Sequence, residues 1–214
     1  MKHLLSVGLA LISFGSVATI AAAQSAQDWE IGPWIRGKNY SQGMPLAPQP
    51  TGRGWSFNFP YPHAAAGHVH YVTFNHGSLE GKNRIVVRYR VDGARGVRFV
   101  PQEHPQLPAT FSVYFQRRGD NWSAKRGYEL YRWYAPVRTM REIKPGEYEF
   151  SVSLTDPNWM SVLGKMAADT PAAFEIAKDR AERVGLTFGS TYARGHGVFA
   201  TAPAKFTLVK FEIQ

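Results

Sequence analysis

Residues 84–91 read Arg-Ile-Val-Val-Arg-Tyr-Arg-Val, and residues 147–154 read Glu-Tyr-Glu-Phe-Ser-Val-Ser-Leu. Successive side chains of a β-strand point to opposite faces, so Ile85, Val87, Tyr89 and Val91 share one face while Arg84, Arg88 and Arg90 take the other. In the second stretch Tyr148, Phe150, Val152 and Leu154 alternate with Glu147, Glu149, Ser151 and Ser153. Both read as antiparallel strands with one buried and one solvated face.

Around these two stretches lie further short β-rich runs: 55–59, 69–74, 97–100, 110–116, 128–134, 184–188, 197–200 and 205–213. Gly, Pro, Asn and Asp punctuate them, in a chain with 20 Gly and 14 Pro. In the last run Phe206 and Leu208 share one parity, while Val209, Phe211 and Ile213 share the other. A bulge or a strand buried on both faces accounts for the switch. Two helical signals stand late in the chain. Asp156 and Pro157 precede Trp159, Val162, Leu163 and Met166 at helical spacing, and Thr170 and Pro171 precede Ala173, Ile176 and Ala177. The expected fold is all-β: a two-sheet antiparallel β-sandwich of jelly-roll type with two short helices inserted late.

The amino terminus has the order of a secretory signal peptide. Lys2 and His3 precede an apolar stretch from Leu4 to Ile20 that ends in Ala21, Ala22 and Ala23, which sets cleavage near Ala23. The domain plan is therefore a signal peptide over 1–23, an extended segment over 24–54 that Trp29, Trp34 and Ile35 pin to the core, and a β-sandwich over 55–214. The expected location is secreted or periplasmic, with no transmembrane segment once the signal is removed. With no cysteine, the chain has neither disulfides nor thiolate chemistry, so its core alone must hold it together.

Lys and Arg number 25 against 16 Asp and Glu, and Lys2 is the only one of these within 1–23, so the positive excess stays with the exported part. Export and the lack of any nucleic-acid-binding module argue against a nucleic-acid partner. Arg84, Arg88 and Arg90 on one strand face fit an anionic polymer surface or a basic solvated face.

Candidate sites are of three kinds. His68, His70 and His76 have a metal-like spacing, but Pro62, Phe74 and Asn75 stand where a cupin needs Gly and Glu, so no metal and no cofactor is expected. Glu147 and Glu149 on one strand face offer two carboxylates, yet the surrounding residues lack the Glu-x-Asp-x-x-Glu pattern of jelly-roll hydrolases. The third kind is a binding loop. Arg118, Asp120 and Trp122 combine donors, an acceptor and an indole, Trp133 lies on an aromatic strand, and Tyr192, Arg194 and His196 sit in a Gly-flanked loop. These seven are the expected ligand-binding residues.

From Tyr148 to Ile213 the chain resembles the end of galactose-binding-like and carbohydrate-binding-module-like jelly rolls. The strand 148–154 leads through Asp156 to Trp159 into Arg183-Val184-Gly185-Leu186-Thr187-Phe188 and the closing strand 204–213. The two inserted helices and the lack of an acidic residue before the final apolar pair depart from the commoner form, so no ligand site or structural calcium is carried over. With the signal-peptide order and the aromatic and Arg-bearing loops, the expectation is an exported, non-catalytic protein binding carbohydrate, anionic polysaccharide included. A polysaccharide-cleaving enzyme using Glu147, Glu149 or the His68/His70 face, and a structural or interaction protein of the envelope, are the alternatives.

Overall fold

The computed structural model describes residues 25–214; the expected signal peptide lies outside them. Two antiparallel sheets pack face to face. The larger, seven-stranded sheet runs in the order Trp29–Gly32, Tyr71–Asn75, Ala181–Gly189, Thr110–Arg117, Arg132–Tyr134, Met160–Ser161, with Arg141–Glu142 also paired to Thr110–Arg117. The smaller, five-stranded sheet runs Gly146–Ser153, Arg84–Gly93, Ala204–Ile213, Gly54–Asn58, Gln49–Thr51. The all-β sandwich expected from the alternating stretches is the fold observed.

Alternation explains which side chains meet. Ile85, Val87 and Tyr89 pair in register with Val152, Phe150 and Tyr148, and the first three are buried. Phe206 occupies the middle of the core: its ring lies 5.4 Å from Phe57 and 5.5 Å from Tyr89 on its own sheet, and 5.4 Å from Phe111 and 5.6 Å from Phe188 on the other. Burying such a ring is worth roughly 1.5–3 kcal/mol, so this layer does much to hold a chain without disulfides. The parity switch in the closing strand is a register shift between Leu208 and Lys210. The extra residue lets Phe206 and Phe211 both turn inward.

Only one of the two expected helices forms. Pro171–Asp179 is helical and buries Phe174 and Ala177, while Ile176 faces solvent and Lys178 is buried with Nζ donating to the Leu154 carbonyl at 3.3 Å. The segment from Asp156 to Met166 is instead a run of turns around the two-residue strand Met160–Ser161. The Asp156 carboxylate accepts from the Asn158 backbone and pairs with Arg138, and Gly164 sits at φ +83°, which ends any helical run. Pairing Met160 with Tyr134 extends the sheet edge where a helix was expected.

Candidate functional site

The outer face of the larger sheet is unlike an ordinary solvated face. Tyr71 and Thr73, Thr187, Ser112, Tyr114 and Gln116, and Arg132 and Tyr134 all have the parity opposite to the core, yet all are buried. Tyr71, Tyr114 and Tyr134 form an aromatic cluster separate from the main core, with Trp122 and Val162 packed against it. The phenol oxygens of Tyr71 and Tyr134 share a hydrogen bond at 2.7 Å, and Tyr114 bonds Thr73. Burial pushes the Tyr71 and Tyr114 phenols well above their ordinary value, so these groups act as neutral hydrogen-bonding partners.

Two loops cover this face. In the first, Arg132 donates from Nε to Asp120 Oδ2 at 2.9 Å, Gln116 Nε2 donates to the same oxygen at 2.8 Å, and the Trp122 backbone N–H donates to Asp120 Oδ1 at 3.0 Å. Trp122 is held at φ +67°, a region a bulky side chain rarely enters, and Ala124 and Arg126 share it at +50° and +57°. The strained turn lays the indole over the Arg132 guanidinium, 4.3 Å from ring centre to Cζ, and edge-on to Tyr71 at 5.0 Å. Burial opposes the charge on Arg132, but the Asp120 carboxylate, through its charge and its hydrogen bond, holds the group above its ordinary value.

The second loop, 189–197, folds over the opposite end. Gly195 stands at φ +77°, and a Cβ there would collide with the Tyr71 hydroxyl, so only glycine lets the backbone come so close. The Gly195 carbonyl accepts from His70 Nδ1 at 2.8 Å, which places the proton of the neutral ring on Nδ1. Burial outweighs that bond and pulls His70 down to about 4. At the rim His196 Nδ1 lies 2.7 Å from Glu103 Oε1.

Two cavities open beside these loops. The larger, about 490 Å³, is bounded by Trp34, Trp122, Arg36, Asn121, Glu182 and Arg183. The smaller, about 280 Å³, is bounded by Tyr71, Arg132, Tyr134, Tyr192, Arg194 and His196. Trp122 stands between them, since it lines the first and packs edge-on to Tyr71 and over Arg132 of the second.

Of the expected ligand-binding residues, Asp120 and Trp122 border the larger cavity and Tyr192, Arg194 and His196 the smaller. Trp133 is a correction. It is fully buried in the core, 4.9 Å from the Phe174 ring, because Arg132 and Tyr134 take the outward parity of that strand. Arg118 is exposed on the same loop, between Arg117 and Gly119, which border the larger cavity. Trp34 is the main omission. Read as a core pin, it is 42% exposed at the larger cavity, while Trp29 takes the core position. Tyr71, Arg132 and Tyr134 were also missed; the only signal for the last two was their shared parity in a strand aromatic on both faces.

The other candidates do not converge on this face. Glu147 and Glu149 lie exposed on the smaller sheet, where Glu147 pairs with Arg88. Among the described residues no three His, Cys, Asp or Glu side chains gather as a metal site; His68 and His70 are 6.0 Å apart between ring centres, and His76 sits at the far end of the strand. No helix of the described residues is long and apolar enough to cross a membrane.

No family model and no curated protein matches the chain. Among solved structures it is similar to a carbohydrate-binding module specific for non-crystalline cellulose, at 9% identity over 88% of this chain and 87% of that one, with a TM-score of 0.43. It is also similar to a xylanase of Cellvibrio japonicus in complex with xylopentaose, at 12% identity over 87% of this chain and 28% of that one, with a TM-score of 0.39.

Proposed function

We propose that this chain is an exported, non-catalytic β-sandwich protein that binds carbohydrate on the outer face of its larger sheet. The observation that carries the reading is the cavity of about 490 Å³ between Trp34 and Trp122. Two indoles offer flat apolar surfaces for the C–H faces of sugar rings, and Asn121, Glu182, Arg36 and Arg183 around them supply donors and acceptors for ring hydroxyls. The second cavity beyond Trp122 extends the face, which suits a polymer rather than a single sugar. Export rests on the signal-peptide order of residues 1–23.

Cleavage has less support. Hydrolysis calls for two free carboxylates flanking a bond, and the larger cavity has Asp120 and Glu182. Asp120 is already engaged by Arg132, Gln116 and the Trp122 backbone, which leaves Glu182 alone. Affinity electrophoresis against a panel of neutral and acidic polysaccharides tests the reading. Retardation by at least one of them, lost on Trp34→Ala, is the expected result; no retardation by any, with the protein folded, overturns it.

A further inference from the structure

Arg194 is 8% exposed, and its Nη1 donates to the Ala135 carbonyl at 2.6 Å. Its Nε and Nη2 have no partner, and no carboxylate stands among the charges that act on it. Arg132, the other buried guanidinium of this face, is neutralised by Asp120. A charge buried without a counter-ion destabilises a fold, so a position that keeps one calls for a reason other than packing. Burial pulls Arg194 down to about 10, which still leaves it charged at neutral pH. Its free nitrogens are shut off from bulk water, and the residue borders the cavity, so an anionic group bound there would lie beside a guanidinium that has no other counter-ion. The Tyr71 and Tyr134 phenols line the same cavity, and Tyr192, 81% exposed, stands at its mouth as an apolar plate.

We propose that the cavity bordered by Tyr134, Tyr192 and Arg194 is the subsite for the acidic group of a charged sugar, a carboxylate or a sulfate ester, carried on a polysaccharide. The missing counter-ion of Arg194 is then the ligand's own charge. This rests on the carbohydrate reading above and narrows it to acidic polymers.

The full chain is titrated with alginate, polygalacturonate and a sulfated galactan, each beside its neutral counterpart, methyl-esterified or desulfated. The wild type is expected to bind at least one charged form tenfold or more tightly than its neutral partner, and the uronates and the sulfate tell the two acid types apart. Arg194→Gln is expected to erase that preference while its ligand-free Tm stays at or above that of the wild type, since a buried unpaired charge has gone. Arg194→Lys retains part of the preference, and Glu149→Gln, on the opposite sheet, retains all of it. Equal binding of charged and neutral forms, or a preference that survives Arg194→Gln, overturns the proposal and leaves the carbohydrate reading standing. A fall in Tm on Arg194→Gln marks Arg194 as structural and also overturns it. Binding to no polysaccharide at all overturns both.

Discussion

Arg132 donates through Nε to Oδ2 of Asp120 at 2.9 Å, and both side chains are almost wholly removed from solvent. The pair ties the strand Arg132–Tyr134 to the loop that presents Trp122, so one contact sets both the sheet edge and the wall of the larger cavity. Removing one partner of such a pair leaves a buried charge exposed to no compensation. Asp120→Ala is expected to cost about 3–5 kcal/mol in urea unfolding, and the double change Asp120→Ala with Arg132→Met to recover a large part of it. A single change costing under about 1 kcal/mol would show that the pair does not hold the loop.

The tryptophans of the larger cavity separate binding from stability. Trp34 is substantially exposed, so Trp34→Ala is expected to change stability by no more than about 0.5 kcal/mol. Its loss from a stacking platform is expected to weaken binding of a responsive polysaccharide roughly tenfold, about 1.4 kcal/mol. Isothermal titration together with thermal melts distinguishes this from Trp122→Ala, which also removes contacts to Arg132 and Tyr71 and is expected to lower both affinity and Tm.

His70 makes stability depend on pH. Its native value is pulled to about 4, below the roughly 6.5 of an unfolded chain, so the unfolded state holds the extra proton between those values. Stability is therefore fully present above about pH 6.5 and falls as the pH drops towards 4, by about 3 kcal/mol if His70 acts alone. Burial moves His68 in the same direction. His70→Asn keeps a donor for the Gly195 carbonyl and is expected to flatten the slope. Urea midpoints measured from pH 7 to 4.5 provide the check, and an unchanged slope in the variant would count against the buried neutral ring.

Gly195→Ala introduces a Cβ at a positive φ and against the Tyr71 hydroxyl. The expected result is a Tm several degrees lower, from roughly 1–3 kcal/mol of strain, together with loss of the Tyr71–Tyr134 hydrogen bond. Gly119→Ala, whose Cβ would meet nothing although its φ is also positive, is expected to cost less. Equal losses would assign the effect to backbone conformation alone.

The sandwich was legible because strands such as Arg84–Val91 and Glu147–Leu154 alternate, and of the two readings of the parity switch near Val209 the register shows the bulge. The outer face of the larger sheet was not, because its residues are as aromatic as the core. In Arg132-Trp133-Tyr134 either parity reads as buried, and only the packing of Trp133 on Phe174 decides between them. Trp34 and Trp29 read alike as anchors to the core, yet one lines a cavity and the other lies 4.9 Å from Trp55 in the core. The segment after Asp156 has helical spacing, but edge pairing of Met160 and the glycine turn at 164 override it. Asp120, Trp122, Tyr192, Arg194 and His196, which border the two cavities, carried their loop chemistry openly in the sequence, whereas Tyr71 carried no mark there.

The closing strand Ala204–Ile213 occupies the middle of the smaller sheet, where Phe206 pairs with Val91 on one side and Phe57 on the other. Its neighbours Arg84–Gly93 and Gly54–Asn58 each have one other partner, Gly146–Ser153 and Gln49–Thr51, so this strand is what joins the two halves of the sheet, through contacts far apart in sequence. Pairing of this non-local kind slows folding, because loop-closure entropy is lost before the contacts form.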